Sequence, residues 1–150
     1  MIGHLKGLGL KAGDRLAVCA PTCPEYIIVF FAAWRMKVVV APVNPKWPAK
    51  MVIDYLSRIN PSLLLTTVQI KSLHPGVPVR TLFLNEVVGF DARKDARVVD
   101  EALNPLLDQE ASILATSGSL GQPKPVVHTW GNHSFNAKGS EELIPVTLKK

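Results

Sequence analysis

A chain of 150 residues fits one ordinary domain, and a compact domain of that size buries about 70% of its unfolded surface. Its 47% hydrophobic and 19% charged content excludes disorder as the resting state, and its longest nearly unbroken apolar stretch, Tyr26 to Trp34, ends at Arg35 and Lys37, short of the roughly 20 residues that span a bilayer. A net charge of +5 from 17 basic and 12 acidic residues suits a phosphorylated ligand, but the basic residues are scattered, with adjacent pairs only at Arg93-Lys94 and Lys149-Lys150, which argues against a nucleic-acid binder.

The opening MIGHLKGLGL has no sustained apolar core followed by a small-residue cleavage site, so it does not read as a signal peptide, and a cytoplasmic chain is expected. Arg15 to Ala20 reads as a strand entered from the turn Lys11-Ala12-Gly13-Asp14. Thr22 followed by Glu25 has capping-box spacing, Pro24 suits a first helical turn, and a helix is expected over Pro24 to Met36. That helix, PEYIIVFFAAWRM, is apolar around most of its circumference and is expected to lie buried against a sheet.

Cys19 and Cys23 lack a second ligand pair and read as two reduced, mostly buried thiols rather than a zinc site. His4, His74, His128 and His133 show no metal-ligand spacing, so no metal ligand is assigned.

The β-branched run Val38-Val39-Val40 supplies the next strand. After NPKWP, Val52, Tyr55, Leu56 and Ile59 fall at helical spacing, and Asn60-Pro61 ends that helix. Leu63 to Thr66 is a third buried strand. Strand, helix, strand, helix, strand implies an α/β fold, a largely parallel sheet with flanking helices and right-handed crossovers. From Val68 to Asp108 the signal weakens to a strand at Thr81 to Leu84 and a charged loop, FDARKDARVVD, read as a solvated excursion with no function. Ala111 to Ala115 and Val126-Val127 then read as strands on either side of a loop, with a helix from about Trp130.

The stretch spanning that loop, LATSGSLGQPKPVVHT over residues 114–129, invites comparison with known glycine loops. A Walker A loop needs Ser or Thr directly after GxxxxGK, and here Gly121 is followed by Gln122-Pro123. Gly7-Leu8-Gly9 with Gly13 precedes the first strand, whereas a dinucleotide fingerprint follows one. The loop does carry three hydroxyls, Thr116, Ser117 and Ser119, two glycines that let backbone N–H groups approach an anion, Gly118 and Gly121, and the charge of Lys124. On composition alone the same residues also serve an ordinary Ser/Gly turn.

The segment TSGSLGQPKPVVHT resembles the signature phosphate loop of the acyl- and aryl-CoA synthetases and related adenylate-forming enzymes, roughly TSGSTGxPKGVxxT. GLKAGDRLAVCAPTCPEYIIVFFAAW and VVVAPVNPKWPAKMVIDYLSRINPSLLLTT resemble the same family's earlier segments in the same order. The ending VVHTWGNHSFNAKGSEELIP is similar to the o-succinylbenzoate–CoA ligases of menaquinone synthesis. Such enzymes join a carboxylic acid to AMP with release of pyrophosphate, then transfer the acyl group to coenzyme A.

The resemblance implies that Thr116, Ser117, Gly118, Ser119 and Gly121 hold the ATP β- and γ-phosphates, with magnesium, and that Lys124 supports the loop electrostatically. Three departures from the pattern stand out. Leu120 replaces threonine, Pro125 replaces glycine and so lacks a backbone donor, and Lys37-Val38 replaces Gly-Ala.

The resemblance also implies that residues 1–150 are an amino-terminal portion of the large AMP-binding domain. The adenine, ribose and acyl-binding segments and the carboxy-terminal domain with its adenylation lysine, like the helix and strand that usually precede GLKAGD, lie outside these residues. No catalytic residue is therefore assigned, and the chain alone is expected to be inactive. The alternative is a truncated, nonenzymatic remnant or a weak nucleotide- or phosphate-binding module. Either way, uncovered apolar surface around Pro24 to Met36 is expected to promote self-association.

Overall fold

A computed structural model describes residues 1–88, 106–117 and 121–143. Its first element, the short helix α1 (Ile2–Gly7), directly precedes GLKAGD, so a helix at that place lies within these residues and not outside them as expected; it buries Leu5 completely. The expected alternation follows as β1 (Arg15–Cys19), α2 (Pro24–Arg35), β2 (Val39–Pro42), α3 (Ala49–Ile59) and β3 (Leu63–Thr66). Next come α4 (Val68–Leu73), β4 (Thr81–Phe83) and α5 (Leu84–Val87), and finally β5 (Glu110–Thr116), β6 (Lys124–Thr129) and α6 (Trp130–Leu143). The charged run FDARKDARVVD lies outside the described residues.

The strands form one sheet in the order β4-β3-β1-β2-β5-β6. Every neighbouring pair is parallel except β5 with β6, so the expected largely parallel sheet with flanking helices is what the chain builds. Side chains alternate across a strand. Leu16 and Val18 therefore face one core with Val29, Ala33 and Leu65, while Ala17 and Cys19 face another with Val52, Tyr55 and Leu56. Covering both faces is what permits strands as uniformly apolar as LLLT, all four residues of which are buried.

α2 departs from expectation at its start and on its surface. Its N-cap is Cys23, not Thr22, because the helix begins at Pro24, and the Cys23 side chain makes no cap bond. Glu25 instead accepts from its own N–H and from the Cys23 thiol, which holds its carboxyl below the usual carboxylate range. Only Val29, Ala32 and Ala33 of α2 are buried, whereas Ile27, Ile28 and Phe31 are 44%, 39% and 59% exposed. A helix lying on a sheet buries one stripe, and no described residue covers the other.

The end of α2 explains one of the departures noted in the sequence. Val38 N–H donates to Ala33 O (3.0 Å) and Lys37 N–H to Trp34 O (2.9 Å), the paired bonds of a Schellman motif, whose left-handed position favours glycine. Lys37 occupies it with φ +59°. Relieving a left-handed non-glycine residue outweighs the extra freedom of glycine in the unfolded chain. Lys37→Gly is accordingly expected to raise the unfolding free energy by about 0.5–1 kcal/mol, seen as a higher denaturant midpoint at unchanged slope. A lower midpoint would contradict this account.

Candidate phosphate-binding site

The sequence brings β5 out of the core as it runs: Ala111, Ser112 and Ile113 are buried, Leu114 and Ala115 half-buried, and Thr116 exposed. β6 returns antiparallel, pairing Thr116 with Lys124, Ala115 with Pro125 and Leu114 with Val126. The expected strand–loop–strand arrangement is therefore present, and the expected helix begins at Trp130. Directly opposed residues project from the same face of a sheet, which places the Thr116 and Lys124 side chains together. Thr116 Oγ1 donates to Lys124 O at 3.4 Å, a long bond whose proton is free to rotate toward another acceptor.

Within the loop, Ser117, Gly121 and Gln122 are exposed and Pro123 is buried. Gly121 has φ +74°, and a Cβ there would meet nothing within 4 Å, so the backbone conformation and not lack of space calls for glycine. Gly118, Ser119 and Leu120 lie outside the described residues. Pro125 sits inside β6, at the edge of the sheet, where a missing N–H is tolerated. Its lost donor therefore belongs to the strand, not to the turn.

Because β5 is parallel to β2, Thr116 stands at the carboxyl edge of the sheet with Cys19, Pro42 and Thr66, the last residues of β1, β2 and β3. Ligands of open α/β sheets gather along this edge. Two cations not read from the sequence also approach the loop. Lys50 and Arg58 of α3, with Asp54 between them, line a cavity of about 260 Å³ together with Gln122 and Pro123. Their spacing along the exposed side of α3 was visible, but the loop they face follows from strand order. No group of three His, Cys, Asp or Glu among the described residues could hold a metal ion. Nor is any described helix long and apolar enough to cross a membrane.

The hairpin is tied down from α2 and α6. Trp34 Nε1–H donates to Ala111 O at 2.9 Å, and Ser112 Oγ lies 2.9 Å from His133 Nε2. Trp34 packs on Trp130 at 4.7 Å between ring centroids and on His133 at 5.2 Å. Burial, and secondarily the neighbouring His128 ring, hold the His133 pKa below the usual histidine value.

A folded pKa below the unfolded one favours the neutral ring in the fold. That contribution is complete above the unfolded value of about 6.5 and is lost as pH falls through the lower folded value. The unfolding midpoint is expected to drop between about pH 7 and pH 5, with His133→Asn flattening the drop. Equal slopes in the two proteins would exclude His133 as its source.

The sequence model of the AMP-binding enzyme family matches residues 2–148. The chain is 31% identical over 139 residues to the 2-succinylbenzoate–CoA ligase of Bacillus licheniformis, covering 92% of this chain and 28% of that protein. It is 28% identical over 144 residues to the crotonobetaine/carnitine–CoA ligase of Salmonella paratyphi B, covering 85% and 28% respectively. The solved structure of o-succinylbenzoate CoA synthetase from Bacillus subtilis, in complex with the acyl-adenylate intermediate OSB-AMP, shares the fold with a TM-score of 0.82. Its identity is 23%, over 97% of this chain and 37% of that one. The chain thus spans 28% of the length of both curated relatives.

Proposed function

This chain belongs to the AMP-binding enzyme family, and we propose that it is the phosphate-handling part of an AMP-forming acid–CoA ligase, with o-succinylbenzoate as the acid. The observation that carries the reading is the position of the hairpin: Thr116 and Lys124 share one face at the carboxyl edge of the sheet, joined by a loop that leaves Ser117 and Gly121 exposed. The similarity to the Bacillus licheniformis ligase and the sequence after β5 support the choice of acid.

Exposed hydroxyl and backbone donors with one adjacent ammonium fit the oxygens of a polyphosphate. Thr116, Ser117, Gly118, Ser119 and Gly121 would hold the β- and γ-phosphates of ATP, and Lys124 would offset their charge. Magnesium, as the counter-ion of the triphosphate, would be held by the nucleotide's own oxygens. ATP, when bound, supplies an α-phosphoryl group open to attack by the carboxylate. Coenzyme A would be the acceptor in the second half-reaction.

Calorimetry with pyrophosphate and with ATP–magnesium tests the assignment. A hydrogen bond to a charged group contributes about 1.5–3 kcal/mol, so Ser117→Ala and Lys124→Ala are each expected to weaken binding roughly tenfold or more. Undiminished binding in both would overturn it. The uncovered Ile27, Ile28 and Phe31 further support self-association of the 150-residue chain, which elution as a monomer at every concentration would contradict.

A further inference from the structure

The chain passes from β1 to β2 on one side, then crosses back to place β3 on the other side of β1. The crevice at the carboxyl ends of β1 and β3 is therefore a topological switch point, the place where open α/β sheets take ligands. A cavity of about 350 Å³ opens there, on the opposite side of β1 from the strands that carry the phosphate loop. Cys19 and Thr66, the paired last residues of the two strands, line it together with Leu64.

The cavity is built in advance of any ligand. His74, 5% exposed, fastens its wall: Nδ1 lies 3.0 Å from Ile70 O and Nε2 lies 2.9 Å from Trp47 O, tying the end of α4 to the segment that enters α3. Val52 and Val77 add apolar surface from either side.

The chemistry of the lining selects among ligands. Thr66 Oγ1 donates to Cys19 O at 2.8 Å, Ser72 Oγ to Val68 O at 3.0 Å and Thr81 Oγ1 to Val79 O at 2.8 Å. All three hydroxyl protons are thus directed to the backbone, and the oxygens offer only lone pairs to an occupant. An N–H or O–H on a ligand therefore finds ready acceptors here. The one ammonium in the lining, Lys71, lies over the Phe83 ring at 5.2 Å, and burial pushes the Cys19 thiol up to about 11, leaving it uncharged. An apolar cavity of about 150 Å³ accommodates benzene, so this one has room for about two fused rings.

We propose that the cavity between the ends of β1 and β3 is a second ligand site, independent of the phosphate loop, for an uncharged, mainly apolar bicyclic molecule carrying an N–H or O–H donor.

Indole is the probe. In amide-detected nuclear magnetic resonance titrations, indole is expected to produce saturable shifts centred on Cys19, Thr66 and Val77 and not on Thr116 to Lys124. 1-Methylindole, which lacks the donor, is expected to bind roughly tenfold more weakly. Val77→Phe, at a half-buried position, is expected to abolish the indole shifts. Should that variant fail to fold, the comparison of probes on the natural chain decides alone. Equal binding of the two probes, tighter binding of indole-2-carboxylate than of indole, or no saturable shift at millimolar indole would each overturn the proposal.

Discussion

Incubated with ATP, magnesium and a panel of aryl and acyl acids, then trapped with hydroxylamine, the 150-residue chain is expected to give no hydroxamate above a no-protein control. Adenylation requires the carboxylate and the α-phosphorus to be held in line at about 3–3.5 Å, and the charge that develops to be met by fixed donors. On the proposed reading the hairpin would contribute one part of that arrangement, a grip on the leaving pyrophosphate. The family resemblance assigns adenine, ribose and acyl recognition, and the adenylation lysine, to sequence that these residues do not include. The matched region is 28% of the length of the two ligases named above. A phosphate clamp alone fixes neither reactant against the other, so the loss should be complete rather than partial. Hydroxamate above control would mean that these 150 residues contain a working acyl site.

The second large effect concerns the loop. Leu120→Thr restores a hydroxyl that the resembling pattern carries, and if the proposed reading holds, one such bond to a charged group is expected to strengthen pyrophosphate binding roughly tenfold or more. Pro125→Gly restores an N–H, but within edge strand β6, opposite Ala115. No gain in affinity is expected from it, and glycine weakens a strand interior. The double variant should therefore match Leu120→Thr by calorimetry. A gain from Pro125→Gly alone would show that its N–H reaches the anion.

The elements from β1 to β3 were legible because each has a long or uniformly apolar signature; Leu63 to Thr66 coincides with β3 residue for residue. α1, α4 and α5, of six, six and four residues, are too short to show a 3.6-residue period. The burial of α2 was overestimated because hydrophobicity states what a helix would cover itself with, not what lies beside it. The strained conformation of Lys37 was foreshadowed by the glycine of the resembling segment. Of the site, Thr116, Ser117, Gly121 and Lys124 were readable as a motif. Lys50, Arg58 and the cavity beside Cys19 and Thr66 were not, because strand order alone brings their elements together.

The seam between β2 and β5 has a consequence for how the molecule breathes. Among the described residues these strands share a single ladder pairing, Val40 with Ser112, whereas the other neighbours share three to six. β5, β6 and α6 are consecutive in sequence and close on one another locally; β1 to β4 close among themselves. Cooperative opening units follow such boundaries, so amide protection should divide here into two blocks, each retaining its own hydrogen bonds as the other exchanges. Among the contacts joining them are the Arg15–Glu110 ion pair at 3.8 Å, the Trp34 indole, bonded to Ala111 and packed at a tilt on Trp130, and Ile113, buried in one core with Ala17 and Val39. Since an exposed ion pair contributes little, Trp34 and Ile113 are the apolar ties that the hairpin must release before it swings away from the rest of the sheet.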